Sequence, residues 1–135
     1  MMQSSHFQQL LWAAADQPEP QRLLFVFAGA ELPSHPTEEQ RQRFLAGGGG
    51  ALTPLMCVDK APDEVADFDV LVAESRRAGP PWQVVFAAGL SGVDGRPPTQ
   101  SQIDSALEKM VNAVLLGTVG QFAAYNSAGE TIQIL

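Results

Sequence analysis

The sequence has one cysteine, two histidines and one tyrosine among 135 residues. A lone Cys57 forms no disulfide within the chain, and no Cys/His cluster has the spacing of a structural zinc site. Basic residues are also scarce, with eight Lys and Arg against fifteen Asp and Glu and a net charge of −7. Such a chain repels phosphate backbones, which disfavours nucleic acid as a partner. No basic cluster exceeds the pair Arg76-Arg77, so a charged membrane surface is disfavoured too. Long apolar runs are missing: the longest, Leu23 to Ala30, is far below the roughly 20 residues of a membrane span. Met1-Met-Gln-Ser-Ser-His6 shows no basic stretch leading into an apolar one, so no signal peptide is expected and a cytoplasmic location follows.

Apolar residues make up 45% of the chain. Its length suits one domain, long enough to bury about two-thirds of the surface its unfolded chain exposes. Intrinsic disorder is disfavoured at that composition.

Ser5 can cap a first helix that carries Phe7, Leu10, Leu11 and Ala14 on one stripe, with Pro18 and Pro20 beyond its end. Arg22 to Gly29 is short, continuously apolar and rich in aromatic and branched residues, as in a strand buried on both faces. Thr37 opens a second helix that ends at glycines 47–50. Ala51 to Asp59 reads as a strand whose Pro54 demands an edge or a bulge.

The plan then restarts. A helix from Asp63 and Glu64 places Phe68, Leu71, Val72 and Ser75 on one stripe, with Arg76 and Arg77 at the end that suits the helix dipole. Trp82 to Gly89 is a second buried strand. Thr99 opens a long helix facing inward with Ile103, Leu107, Met110, Val111 and Val114, and closed by Gly117. Gln121–Asn126 and Glu130–Leu135 form a hairpin around Ser127-Ala128-Gly129.

The halves 1–61 and 62–135 match in detail. Phe25-Val-Phe-Ala-Gly29 pairs with Val84-Val-Phe-Ala-Ala88. Pro36-Thr37-x-x-Gln40 pairs with Pro98-Thr99-x-x-Gln102, and each is a capping box. An offset of about sixty residues points to internal duplication. Alternating helices and strands favour an α/β (or α+β) fold: a mostly parallel mixed sheet of about five strands with covering helices, built from two α-β-α-β halves and ending in a hairpin. The alternative is two half-units about a pseudo-twofold axis, with antiparallel pairing at the seam.

Catalytic motifs are sparse. Gly47-Gly-Gly-Gly50 lacks the Lys-Ser/Thr of a phosphate loop, and Gly89-Leu-Ser-Gly92-Val-Asp-Gly95 lacks G-x-G-x-x-G spacing. Cys57 sits in an apolar strand, where a buried thiol is inert, and neither His6 nor His35 is its neighbour in sequence. Ser91 lacks a nucleophile elbow. No cofactor, metal site or catalytic set follows from these residues. What remains are the loops after the two apolar strands. Were those strands parallel neighbours, Glu31, Ser91, Asp94 and Arg96 would share the carboxyl edge of the sheet, where small ligands bind in open α/β folds. The hairpin is a second candidate: Phe122, Tyr125, Ile132, Ile134 and Leu135 give it an apolar face suited to pairing between copies, hence a homodimer.

Three stretches resemble a known family. Pro18-Glu-Pro-Gln-Arg-Leu-Leu-Phe-Val-Phe-Ala-Gly-Ala-Glu-Leu-Pro33, Ala51-Leu-Thr-Pro-Leu-Met-Cys-Val-Asp-Lys60 and Ala78-Gly-Pro-Pro-Trp-Gln-Val-Val-Phe86 are similar to short, uncharacterised bacterial proteins, some labelled "ribonucleotide reductase alpha subunit". The resemblance covers most of the chain. That label implies a thiyl-radical enzyme with a separate redox cysteine pair. Cys57 alone cannot supply those thiols, so no reductase role falls on any residue. Three functions stay open: a non-catalytic interaction or regulatory module that self-associates, a small-molecule binder or enzyme using the loops after Gly29 and Gly89, and an accessory partner of a nucleotide enzyme.

Overall fold

A computed structural model describes residues 5–31, 38–39 and 51–132. The elements are α1 (His6–Ala15), β1 (Gln21–Glu31), β2 (Ala51–Lys60), a 3-10 turn (Pro62–Glu64), α2 (Phe68–Ala78), β3 (Val84–Ser91), α3 (Gln100–Leu116) and β4 (Ala123–Asn126). The helix expected from Thr37 to the glycines 47–50, its Thr37–Gln40 capping box included, lies outside the described residues apart from 38–39.

The strands form one sheet in the order β2-β1-β3-β4, and every neighbouring pair is antiparallel. The fold is therefore α+β with a four-stranded antiparallel sheet, which corrects the expectation of a mostly parallel sheet of about five strands. The physical reason lies in the run used to infer it. A strand apolar on both faces shows that both faces are covered, as parallel sheets usually are. Here α1 and α2 cover one face and α3 the other, so the same burial arises with antiparallel neighbours. The two long strands meet antiparallel at the centre, Gln21 opposite Ser91 and Ala28 opposite Val84. That is the seam of the alternative arrangement.

Each helix is positioned by its caps. Ser5 Oγ accepts from the Gln8 amide at 3.0 Å and Asp67 from the Val70 amide at 2.9 Å. Thr99 and Gln102 form the reciprocal box, at 3.2 and 2.9 Å, and Gly117 ends α3 with φ 76°. Asp63 and Glu64 do not open α2. They belong to the 3-10 turn, and the helix starts afresh after Asp67.

Two clusters flank the sheet. Phe7 and Leu11 of α1 and Phe68, Leu71 and Val72 of α2 pack on Phe25, Phe27 and Val85. On the other face Ile103, Met110 and Val114 of α3 meet Val26, Val84 and Phe86, with Leu107 and Val111 partly buried beside them. Ser75, the one buried polar residue among those described, accepts the Trp82 indole N–H at 2.8 Å and donates to the Val72 carbonyl at 2.7 Å.

The strand motifs matched between the halves do not occupy equivalent places. Phe27 and Phe86 match in sequence, yet Phe27 faces α1 and α2 while Phe86 faces α3. Their offset of 59 residues is odd, whereas directly opposed residues of β1 and β3 share a face. A one-residue slip turns a side chain to the other side of a sheet. At β2, Phe27 pairs with Met56 but Ala28 with Pro54, so Leu55 is passed over. Pro54 thus adjoins a bulge on an edge strand, satisfying both ways a sheet tolerates proline.

Candidate functional site

The antiparallel seam decides which loops meet. Ser91 lies beside Gln21 at the start of β1, while Glu31 ends β1 opposite Ala51. At about 3.3 Å per residue, the length of β1 separates them by roughly 30 Å. The four-residue site expected from parallel neighbours does not assemble: Ser91, Asp94 and Arg96 share one end and Glu31 stands at the other.

At the Ser91 end, three connections converge: the segment between α1 and β1, the 3-10 turn after β2, and the segment between β3 and α3. The last of these is a tight turn, not a loose glycine loop. Val93 and Arg96 exchange both backbone hydrogen bonds at 3.0 Å. Asp94 and Gly95 between them have φ 55° and 75°, the left-handed pair that an Asp-Gly type I′ turn uses. Two contacts fasten it to the strand β1 side: the Gly92 amide donates to the Pro20 carbonyl at 2.8 Å, and the Gly95 amide to Glu19 Oε2 at 2.7 Å. Gln21 Nε2 donates to Ser91 Oγ at 3.0 Å. Among the described residues no histidine or carboxylate is hydrogen-bonded to Ser91, whose hydroxyl meets Gln21 and the Gly92 carbonyl, so this serine is a tie between β1 and β3.

Between these connections lies a cleft of about 500 Å³, walled by Pro18, Pro20, Pro62 and Pro97 and carrying Glu19 and Asp63. Arg22 forms part of its lining. Its Nε donates to Asp59 at 2.6 Å and a terminal nitrogen to Glu64 at 3.2 Å. Glu64 also accepts the Ala61 amide at 2.7 Å, so the arginine locks the turn after β2 to β1. An open hollow of about 400 Å³ beside it is lined by Val93, Asp94, Arg96, Thr99 and Gln102. Both side chains of the Thr99–Gln102 pair are already engaged in the cap of α3.

The cysteine reading changes as well. Cys57 is exposed, not buried. It sits opposite Val26, on the α3 side of the sheet, while His6 belongs to α1 on the other side. The sheet stands between them, and His6 is engaged elsewhere: its Nδ1 lies 2.7 Å from the Tyr125 hydroxyl. His35 lies outside the described residues. Among the described residues no group of His, Cys, Asp and Glu is placed to hold a metal ion, and no helix is long and apolar enough to cross a membrane.

The hairpin residues part company. The Ser127-Ala128-Gly129 turn forms, with Gly129 at φ 85° and Asn126 Oδ1 accepting from the amides of Ala128 and Glu130, each at 3.0 Å. Tyr125 is wholly buried against Phe7 and Phe68, which removes it from any surface. Burial pushes its hydroxyl up to about 12. Phe122 and Ile132 pack half-buried on the opposite face, with α3. Ile134 and Leu135 lie outside the described residues. The outer side of β4 is partly taken, because the Ile132 amide donates to Ala124 and the Asn126 amide to Glu130, both at 3.0 Å. Sequence reasoning missed the His6–Tyr125 pair, which joins residues far apart in the chain and leaves no local pattern.

The other edge is different. β2 runs ten residues, pairs with β1 on its inner side, and among the described residues no strand pairs with its outer side. From Ala51 to Val58 it carries no charge. The chain matches no family model, no curated protein and no solved structure.

Proposed function

We propose that the protein is a non-catalytic interaction module that self-associates through the outer edge of β2. The observation that carries this reading is the uncharged stretch from Ala51 to Val58 on a ten-residue edge strand. Unpaired backbone groups on a long edge strand are a template for another strand, and natural sheets usually guard such edges with charges. Pro54 and its bulge guard one end of β2 and leave Met56, Cys57 and Val58 open to a partner. A second copy is the simplest partner, since antiparallel pairing of two β2 strands closes as a twofold dimer. A cytoplasmic, reducing location goes with this reading, because it keeps the exposed Cys57 a thiol.

Light scattering of the size-separated protein across micromolar concentrations tests it. A mass twice the 14.4 kDa of one chain is expected. Cys57→Lys, which places a charge on the exposed edge, returns the protein to monomer with an unchanged circular dichroism spectrum. A wild-type protein that is monomeric throughout sinks the reading.

A second reading rests on the proline-walled cleft. Its size suits a small molecule, and Arg22, Glu19 and Asp63 offer polar groups to orient one. A native mass spectrum that shows each chain free of added mass counts against it. The family resemblance adds a third partner, a nucleotide enzyme, and a pull-down that recovers none removes it. Internal duplication is supported by α1 and α2 lying on one face of the sheet, each ahead of a central strand. The opposite facings of Phe27 and Phe86 mean that the matched strand motifs are not its equivalent positions.

A further inference from the structure

We propose that Asp94 is a site of spontaneous isoaspartate formation in this chain, and that Glu19 holds its rate down. Asp94 is exposed at the tip of the turn and is followed by Gly95. A glycine puts no side chain in the way of its own amide nitrogen, and an added Cβ at Gly95 would meet nothing within 4 Å. The reaction needs no other reagent than water. The Gly95 nitrogen attacks Cγ of Asp94, forming an N–Cγ bond. The Cγ–O bond breaks, and its oxygen leaves as water with the amide proton and the carboxyl proton. The five-membered imide then takes up water at either carbonyl, returning aspartate or giving isoaspartate, in which the main chain runs through the side-chain carbon.

Two features of the structure oppose the first step. The reacting nitrogen must lose its proton, and that N–H is held by Glu19 Oε2 at 2.7 Å. A deprotonated nitrogen there would face a carboxylate at hydrogen-bond distance, so the charge of Glu19 disfavours the nucleophile. The reciprocal bonds between Val93 and Arg96 also hold Asp94 at φ 55°, fixing the turn against the rotation that ring closure requires. Once isoaspartate forms, its additional backbone atom breaks those reciprocal bonds and releases the Gly95 contact to Glu19. The cleft then loses one of its walls, because Gly95 lines it. Asp94 is thus a slow chemical clock placed at the edge of the cleft, with its brake on a different segment of the chain.

The test follows ageing of the intact protein at neutral pH, with isoaspartate located by fragmentation mass spectrometry. Asp94→Asn turns each cyclisation into a gain of about one mass unit, so the rate is read directly, and adding Glu19→Gln or Glu19→Ala to that background tests the brake. Isoaspartate confined to position 94 is expected in the wild type, with a several-fold faster rate when Glu19 is replaced by alanine and an intermediate rate with glutamine. The glutamine keeps an acceptor oxygen without the charge. Thermal melts of each variant, with a urea-unfolded sample as the upper limit of rate, separate loss of the brake from loss of the fold. Equal rates in folded variants of matched stability overturn the role of Glu19, and slower rates do so by making its carboxylate a base. Isoaspartate absent from position 94 in aged wild-type protein overturns the site itself.

Discussion

The hydroxyl of Tyr125 and Nδ1 of His6 stand 2.7 Å apart, joining the last strand to the first turn of the first helix. The tyrosine is 0% exposed, and the histidine ring shields its polar end while Phe7 and Phe68 enclose its ring. Buried polar groups cost free energy unless paired, and this pair provides the partner from the most distant part of the chain.

One consequence is visible in alkaline titration. Tyr125 is the only tyrosine, so phenolate absorbance reports it alone. Its midpoint is expected near 12 rather than 10, because burial disfavours the charged form. The sign for stability follows. Below pH 10 both folded and unfolded states keep the proton, and this group adds no pH dependence. As pH rises from 10 to 12 the unfolded chain ionises first, and the native state loses up to about 2–3 kcal/mol. Denaturant midpoints that stay flat across that window contradict the assignment.

Phe86 fills the α3 face of the sheet with no exposed surface. Phe86→Ala is expected to cost about 3–5 kcal/mol, as large core truncations do. A urea titration showing less than about 1 kcal/mol would falsify the central placement of β3.

The Trp82–Ser75 bond makes a separate prediction. Ser75→Ala removes the acceptor and leaves a buried indole N–H without a partner, for a loss of about 1–3 kcal/mol. Trp82→Phe in the same background removes the orphaned group, so the double variant is expected to lose less than the sum of the single ones. Strict additivity in thermal or urea melts argues against the bond.

Two glycines of the β3–α3 connection respond differently to alanine. A Cβ at Gly92 would lie 1.9 Å from the Arg96 carbonyl oxygen, a backbone atom, so the whole turn must move. Gly92→Ala is expected to cost about 2–4 kcal/mol and to open the cleft. Gly95→Ala meets open space and carries only the left-handed strain of φ 75°, about 1–2 kcal/mol. Calorimetry that ranks them the other way denies the turn geometry.

Local sequence determined a good part of this protein. Ser5, Thr99 with Gln102, and Gly117 stand at helix ends because capping is settled within a few residues. Phe68, Leu71, Val72 and Ser75 are all buried, because a helical stripe is written in its own spacing. The places of β1, β2 and β3 followed from apolar runs, and Gly129 from the needs of its turn. Tertiary structure alone decided strand direction, and with it which loops meet. A strand apolar on both faces has no alternation to mark its register or its neighbour's direction. Glu31 was therefore expected beside Asp94, and nothing in the sequence marked Glu19. The antiparallel seam between β1 and β3 removed Glu31 to the far end of the sheet and put Glu19 against Gly95. That choice rests on how two whole faces of side chains pack against α1, α2 and α3, which no stretch of the chain encodes on its own.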